Sequence, residues 1–409
     1  MVEPIIFTLK NGIRVVHQPL DREVAHCGLL IGAGSRDEKE NEHGLAHFLE
    51  HCFFKGTKKR KTFHILSRLD AVGGEINAFT AKEETWVHGS FLKEHYERTI
   101  ELIADIAFDS TFPEKEIVKE KEVILDEINS YKDSPSEMIF EDFDEYLFNN
   151  HPIGRTILGT EKSLKKFNSK HLLNFRKRNF TAENLIFASA GKIDIDKLKY
   201  YMEKYFGEQK LSNTPLDRTA FKGYRPFEKV EIKDIHQVHY VMGTKAYDYH
   251  DKKRPGLSLL NNVLGGPAMN NRLSLNIREK HGIAYHIDST YAPFSDTGVF
   301  SIYLGTDKNN LEKSKKLIWK EINTLRENPL SVRHLHEAKK QIIGQIALAQ
   351  DSGGAIMFNL GKSLLLFNRI DSLEYIFSKV EEITSKQLQD IAQEVFDPKR
   401  MSSLTYSYK

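Results

Sequence analysis

The stretch His47-Phe48-Leu49-Glu50-His51 constrains this chain more than any other. It sits within residues 41–54, where positions 45, 48, 49, 52 and 53 are apolar at a spacing that suits a helix packed on a core. On such a helix His47 and His51 stand one turn apart and project from one face, with Glu50 beside them. Two imidazoles on one face can hold a zinc ion, and a neighbouring carboxylate can take a proton from water. The order His-x-x-Glu-His inverts the commoner His-Glu-x-x-His and is a zinc-hydrolase signature. A charged helix face with two surface histidines would show the same five residues, so the rest of the chain has to decide between the two.

A chain of 409 residues is long enough for two or more cores. Lys plus Arg nearly balances Asp plus Glu, and the net charge of +2 argues against a dedicated nucleic-acid binder. The two cysteines, Cys27 and Cys52, make no disulfide framework and fit a reducing compartment. The N-terminus has no basic segment followed by a long apolar one, and no apolar run is long enough to span a bilayer. A cytoplasmic protein without a membrane span is therefore expected, although a removed leader would leave the same sequence.

Segments 5–9 and 13–17 flank Asn11-Gly12 and read as a hairpin. A third strand is expected over 25–31, two more over 75–80 and 85–91, and another over 184–190. Helices are expected over 63–72, 94–108, from Pro113 to about Tyr131, over 135–148 and over 163–179. Gly207, Pro215, Gly223 and Pro226 among charged residues mark a linker. After it the order of elements starts again. Gly44 to His51 resembles Gly256 to Val263, and Glu127-Ile128 with Phe140 resembles Gln345-Ile346 with Phe358. In the second copy His47, Glu50, His51, Glu120 and Glu127 become Leu259, Asn262, Val263, Ala338 and Gln345. The architecture repeats and every metal-competent side chain is lost. The expected fold is α+β, with two homologous α/β-sandwich halves of mainly antiparallel sheet packed with helices. The boundaries are 1–208 for a zinc-binding catalytic domain, 209–228 for a linker and 229–409 for a homologous domain without zinc ligands.

A catalytic zinc site takes three protein ligands and keeps one position open. On the helix after Pro113, Glu120 and Glu127 lie two turns apart on one face, bordering the apolar stripe of Val123, Ile124 and Ile128. Spacing alone does not choose between the two carboxylates.

The sequence resembles the insulinase/pitrilysin-type family of inverted-motif zinc metallopeptidases, in particular small two-domain members. The resemblance rests on His47-Phe48-Leu49-Glu50-His51 with Phe54-Lys55-Gly56-Thr57, and on Gly73-Gly74-Glu75-Ile76-Asn77-Ala78-Phe79-Thr80 with Glu84-Thr85. It rests also on Glu120 with Glu127, and on Arg278-Glu279-Lys280-His281-Gly282-Ile283-Ala284-Tyr285 in the second half. It implies that His47, His51 and Glu127 hold one Zn²⁺. It implies that Glu50 is the general base and that Glu120 orients a ligand histidine or supports activity. Asn77, Ala78 and Phe79 would lie on an edge strand that receives the substrate backbone, and Arg278 and Tyr285 would contact substrate near the scissile carbonyl.

The expected activity is hydrolysis of peptides or unfolded polypeptides in an enclosed chamber. The expected assembly is a homodimer, or a heterodimer with a related subunit. Two other readings stand beside it: a non-catalytic or partner-dependent subunit of a heterodimeric peptidase, and a peptidase dedicated to one leader or precursor. A purely structural zinc site is disfavoured, because such sites are usually closed and rich in cysteine.

Overall fold

The computed structural model describes residues 3–212 and 216–409. The chain forms two compact units, and neither is a continuous stretch. The first comprises the residues up to Asn129 together with Arg155–Arg218 and Leu348–Ile370. The second comprises Ser130–Gly154, Thr219–Ala347 and the residues from Asp371. This departs from the unbroken halves 1–208 and 229–409 read from the sequence. Within the expected linker 209–228, the change of unit falls between Arg218 and Thr219, while Pro215 lies outside the described residues.

The first unit is built on six strands: β1 (Ile5–Thr8), β2 (Arg14–Pro19), β3 (Val24–Ile31), β4 (Glu75–Thr80), β5 (Thr85–Leu92) and β6 (Leu185–Gly191). β1 and β2 form the hairpin expected around Asn11-Gly12, with Gly12 at φ +90°. The order across the sheet is β1-β2-β6-β3-β5-β4, which leaves β4 at an edge. The β2–β6 pairing is parallel and the others are antiparallel.

Central β6 reads Leu-Ile-Phe-Ala-Ser-Ala-Gly and is buried along its whole length. Its alternate side chains face opposite sides. Leu185 and Phe187 enter the larger core with Phe48 and Leu49 of the helix Leu45–Cys52 and Ile103 of the helix Tyr96–Phe108. Ile186, Ala188 and Ala190 enter a second core with Trp86 and with Ile356, Met357, Leu360 and Leu364 of the helix Gly353–Phe367. A sheet with two apolar faces needs a cover on each. The second cover comes from late in the chain, and this is why the unit is discontinuous. The helix expected over 163–179 is two helices, Glu161–Leu164 and Ser169–Asn179. Asn168 between them is extended, and its side-chain oxygen accepts from the His171 N–H, which starts a new helix.

The second unit holds β7 (Glu228–Ile232), β8 (Val238–Ala246), β9 (His286–Pro293), β10 (Gly298–Thr306) and β11 (Ser402–Ser407) in the order β7-β11-β8-β10-β9. The β7–β11 pairing is parallel. One face packs against the helices Arg254–Gly265, Leu311–Glu327 and Ser385–Val395. On the other face Val241, Tyr303, Leu404 and Tyr406 meet Ile139, Phe143 and Leu147 of the helix Pro135–Phe148. Taken strand for strand, β2-β6-β3-β5-β4 has the topology of β7-β11-β8-β10-β9. The repeat read from the sequence is a repeat of structure, and each unit borrows the helix that covers one face of its sheet.

No helix of the described residues is long and apolar enough to cross a membrane.

The borrowed helix carries a testable energy. Leu364→Ala, at a fully enclosed contact with the first sheet, should destabilise the protein by about 2–4 kcal/mol, seen as a lower urea midpoint. Leu348→Ala, at a side chain that is 72% exposed, should move the midpoint by less than about 0.5 kcal/mol equivalent.

Candidate metal centre

The motif helix Leu45–Cys52 is held at both ends. Gly44 caps it at φ +90°, a backbone conformation that favours glycine. A Cβ on Gly44 would lie 2.7 Å from the Gly159 Cα, so the two glycines permit a close backbone approach. The buried Glu38 carboxylate accepts from Gly44 N (2.9 Å) and Ala46 N (2.8 Å), which satisfies two donors that the helix start leaves free. Burial pushes this carboxyl well up, and those two N–H groups and the Arg155 charge oppose the shift. At the other end the chain continues into a short 3₁₀ turn, Phe53–Lys55. Phe48, Leu49, Cys52 and Phe53 face the core.

The acidic helix Glu114–Lys132 supplies the other half of the site. Its buried residues are Ile117, Glu120, Ile124 and Ile128. Val123, expected in this stripe, is 50% exposed instead, because it lies a further 100° round the helix from Ile124.

Three donor atoms from the two helices converge. The Nε2 atoms of His47 and His51 are 3.2 Å apart. Glu127 Oε2 is 3.6 Å from His47 Nε2 and 3.5 Å from His51 Nε2. Zinc bound tetrahedrally at about 2.0–2.1 Å separates its donors by about 3.3–3.4 Å. The triangle therefore fits one zinc-sized ion, and two imidazoles with one carboxylate is a donor set of the catalytic kind.

Of the two carboxylates that spacing left open, Glu127 is the one in the triangle. Glu120 is on the far side of His51. His51 Nδ1 donates to Glu120 Oε1 at 2.8 Å, and Lys55 Nζ donates to Glu120 Oε2 at 2.6 Å. A proton held on Nδ1 leaves Nε2 as the metal-facing atom. Burial would raise the Glu120 carboxyl, but the hydrogen bonds from His51 and Lys55 outweigh it and hold the group below the usual carboxylate range. In the protein alone burial also opposes charge on His51, yet its hydrogen bonds to Glu120 and Glu127 raise it to about 9. Burial, followed by the His51 charge, pushes His47 down to about 4.

Glu50 stands beside the triangle. Its Oε2 accepts from Thr80 Oγ1 at 3.1 Å, leaving Oε1 without that restraint. Burial raises its carboxyl, and His51 and Thr80 only partly offset the shift. Thr80 ends β4, whose side chains alternate. Ile76 and Ala78 lean on the core beneath the motif helix. Asn77 and Phe79 point to the opposite face of the sheet. There Phe79 meets Phe358 edge to face at 5.6 Å, and Asn77 Oδ1 accepts from Ala78 N. The expected contribution of Phe79 to substrate binding can therefore come from its backbone, not its ring. Along the β4 edge no further strand is paired among the described residues.

Arg278 and Tyr285 belong to the second unit. Arg278 lies in a π-helical turn, Ser274–Glu279, and pairs with Glu279 at 2.9 Å. The Tyr285 ring is 63% exposed, and its hydroxyl donates to Asp307 Oδ1 at 3.0 Å. The roles of Glu38, Lys55 and Thr80 were not read from the sequence. Lys55 was legible in one respect: it follows His51 by four residues, one turn further along the same face.

The fold and the triangle define a protein of two related α+β units, one of which brings three groups able to hold a metal ion together around an inverted His-x-x-Glu-His helix. Residues 14–161 match the family model described as insulinase (peptidase family M16), and residues 166–342 match the peptidase M16 inactive domain. An uncharacterized zinc protease of Bacillus subtilis is 34% identical over 95% of both chains. One of Rickettsia bellii is 32% identical over 97% of this chain and 96% of its own. The chain belongs to the insulinase family of peptidases. Among solved structures, a Helicobacter pylori protease superposes with a TM-score of 0.93 at 22% identity, covering 99% of each chain. A Pseudomonas fluorescens peptidase M16 inactive domain gives 0.92 at 19% identity, covering 100% of this chain and 99% of that one. These two likenesses are of fold.

The Lys55–Glu120–His51 chain yields a test by metal affinity. Lys55→Met should weaken zinc binding about 10–100-fold in competition with a chromophoric chelator, the usual scale for a partner of a ligand histidine. Lys55→Arg should restore most of the loss. Unchanged affinity in Lys55→Met would show that Glu120 needs no cationic partner.

Proposed function

We propose that this chain is a zinc-dependent metalloendopeptidase acting on peptides or unfolded polypeptides. The observation that carries the reading is the donor triangle of His47, His51 and Glu127 with a buried carboxylate, Glu50, alongside it. The names of the relatives as zinc proteases point the same way. Zinc bound there supplies Lewis acidity toward a water molecule and a peptide carbonyl. Glu50 takes the proton of the attacking water on its carboxylate and delivers it to the departing amine. Its raised carboxyl makes the return of the proton easier than it would be for an exposed glutamate. Thr80 fixes one Glu50 oxygen, so the other is the one aimed at the reacting centre.

The substrate backbone pairs along the β4 edge beside Ala78, in the manner of strand addition. Arg278 and Tyr285 are assigned to substrate contacts near the carbonyl. The working assembly is a dimer with a second copy or a related subunit, which encloses the substrate.

The test uses a quenched peptide of about twenty residues, with chelation and zinc add-back. Wild type should lose cleavage to the chelator and regain it with zinc. Glu50→Gln should keep about one zinc per chain and lose activity about 10²–10⁴-fold. His51→Ala should lose the zinc itself, read by metal analysis. Near-wild-type turnover in Glu50→Gln would remove the general-base assignment. Elution of a fully active monomer would remove the dimer.

A further inference from the structure

The two sheets share a topology, but β1 of the first unit has no counterpart in the second among the described residues. β1 covers β2, pairing Phe7 with Val15 and resting the Phe7 ring against the core. The helix Ile195–Phe206, which follows β6, packs Leu198, Met202 and Phe206 into the same core. In the second unit no strand among the described residues pairs with the outer edge of β7.

What β1 covers in the first unit is open in the second among the described residues. Val230 and Ile232 of β7 are 63% and 56% exposed. They lie on the same face as Thr405 and Ser407, their neighbours in register, which is the face that bears the helix Leu311–Glu327. Between that helix and the sheet is a cavity of about 690 Å³, a size that suits bound side chains or ligands. Tyr240, Met242, Trp319 and Met401 form its apolar wall. Lys315, Lys316 and Lys320 outnumber the two carboxylates of its lining, Glu228 and Glu312. Lys315 pairs with Glu312 at 3.0 Å, whereas Lys316 and Lys320 are exposed and have no recorded carboxylate partner.

The β7 edge is also chemically ready. In its parallel pairing with β11, alternate residues bond inward. Ser403 N donates to Phe227 O and Lys233 N donates to Ser407 O, each at 2.8 Å. The inward set is therefore 227, 229, 231 and 233. The N–H and C=O groups of Glu228, Val230 and Ile232 point outward.

We propose that the β7 edge and this cavity form a docking site for an extended, acidic polypeptide segment of a partner protein. The segment adds a strand to β7, lodges an aromatic side chain against Tyr240 and Trp319, and sets carboxylates two residues to either side of it against Lys316 and Lys320. β1 and Phe7 of the first unit show the form of the occupant. The lysines say why the partner strand is acidic where β1 is apolar. The site is separate from the β4 edge, which belongs to the other unit, and does not depend on the peptidase reading.

The probe is the fluorescein-labelled peptide acetyl-Thr-Glu-Thr-Phe-Thr-Glu-Thr-amide, which alternates Glu, Phe and Glu on one face of a strand. The protein is the full-length Glu50→Gln variant, so that the probe is not consumed. Saturable binding is expected by fluorescence anisotropy, with slowed amide exchange at Glu228, Val230 and Ile232. The pair Lys316→Glu and Lys320→Glu should weaken binding about tenfold or more and reverse the preference toward a probe with Lys in place of Glu. Val230→Pro removes an outward N–H that the sheet does not use, so it should weaken binding while leaving the circular dichroism unchanged. No saturable binding up to about 1 mM overturns the proposal. So does binding that ignores both variants, or exchange protection confined to β4.

Discussion

Glu120 is the group on which the metal site depends. Three carboxylates, those of Glu50, Glu120 and Glu127, converge on two histidines in a partly dehydrated setting. Such a cluster is stable only where each charge is met. Glu120 is met on both oxygens, by His51 Nδ1 and by Lys55 Nζ. That arrangement does two things together. It keeps a buried carboxylate ionised, and it fixes which nitrogen of His51 faces the metal. Because Lys55 sits in the 3₁₀ turn that continues the motif helix, the helix carries the countercharge for its own support.

Placing the motif helix to within a few tenths of an ångström is then a matter of its anchors. The Gly44–Gly159 contact and the Glu38 carboxylate fix its start, and Phe48, Leu49 and Phe53 fix its underside. The acidic helix is positioned by Ile117, Ile124 and Ile128, which share a face with Glu120. Glu127 lies at the border of that face and is less buried than Glu120. A ligand has to reach an ion open to substrate, whereas a supporting carboxylate does not. The difference in exposure follows from that difference in task.

Much of this was legible in the sequence. The motif spacing gave the two histidines, and the internal repeat gave the two related sheets. The pair Glu120 and Glu127 gave the acidic helix its importance without separating their roles, which needed the distances. Other features had no signal in the pattern. The apolar face of the helix Gly353–Phe367 shows that it is covered but not by which sheet, so the exchange of helices between units was missed. Period-two alternation placed Phe79 on a strand, yet only the packing against Phe358 shows which face it takes. The basic run Lys58-Lys59-Arg60-Lys61 has the look of a solvated loop in the sequence. Arg60 is instead tied to Asp105 at 2.6 Å and Glu101 at 2.8 Å, both on a distant helix. A charge run carries no mark of the acid it will meet.

The second unit shows what the fold requires once the metal is not needed. At the positions of His47 and Glu50 it has Leu259, fully buried, and Asn262, nearly so. Leu259 enters the core with Leu260 and Leu264, so the helix is anchored by apolar contact alone. The same backbone thus accepts either a core side chain or a metal ligand at one position. In the first unit the histidine is present although burial holds His47 far below its usual pKa, an energetic cost that Leu259 does not incur. Such a cost persists where function maintains it. Among the described residues the second unit also has no strand in the place of β1, and its β7 edge stands open where β2 is paired. One topology thus serves two ends: the first sheet carries the histidine–carboxylate cluster and an added strand beside β2, and the second, among the described residues, carries neither.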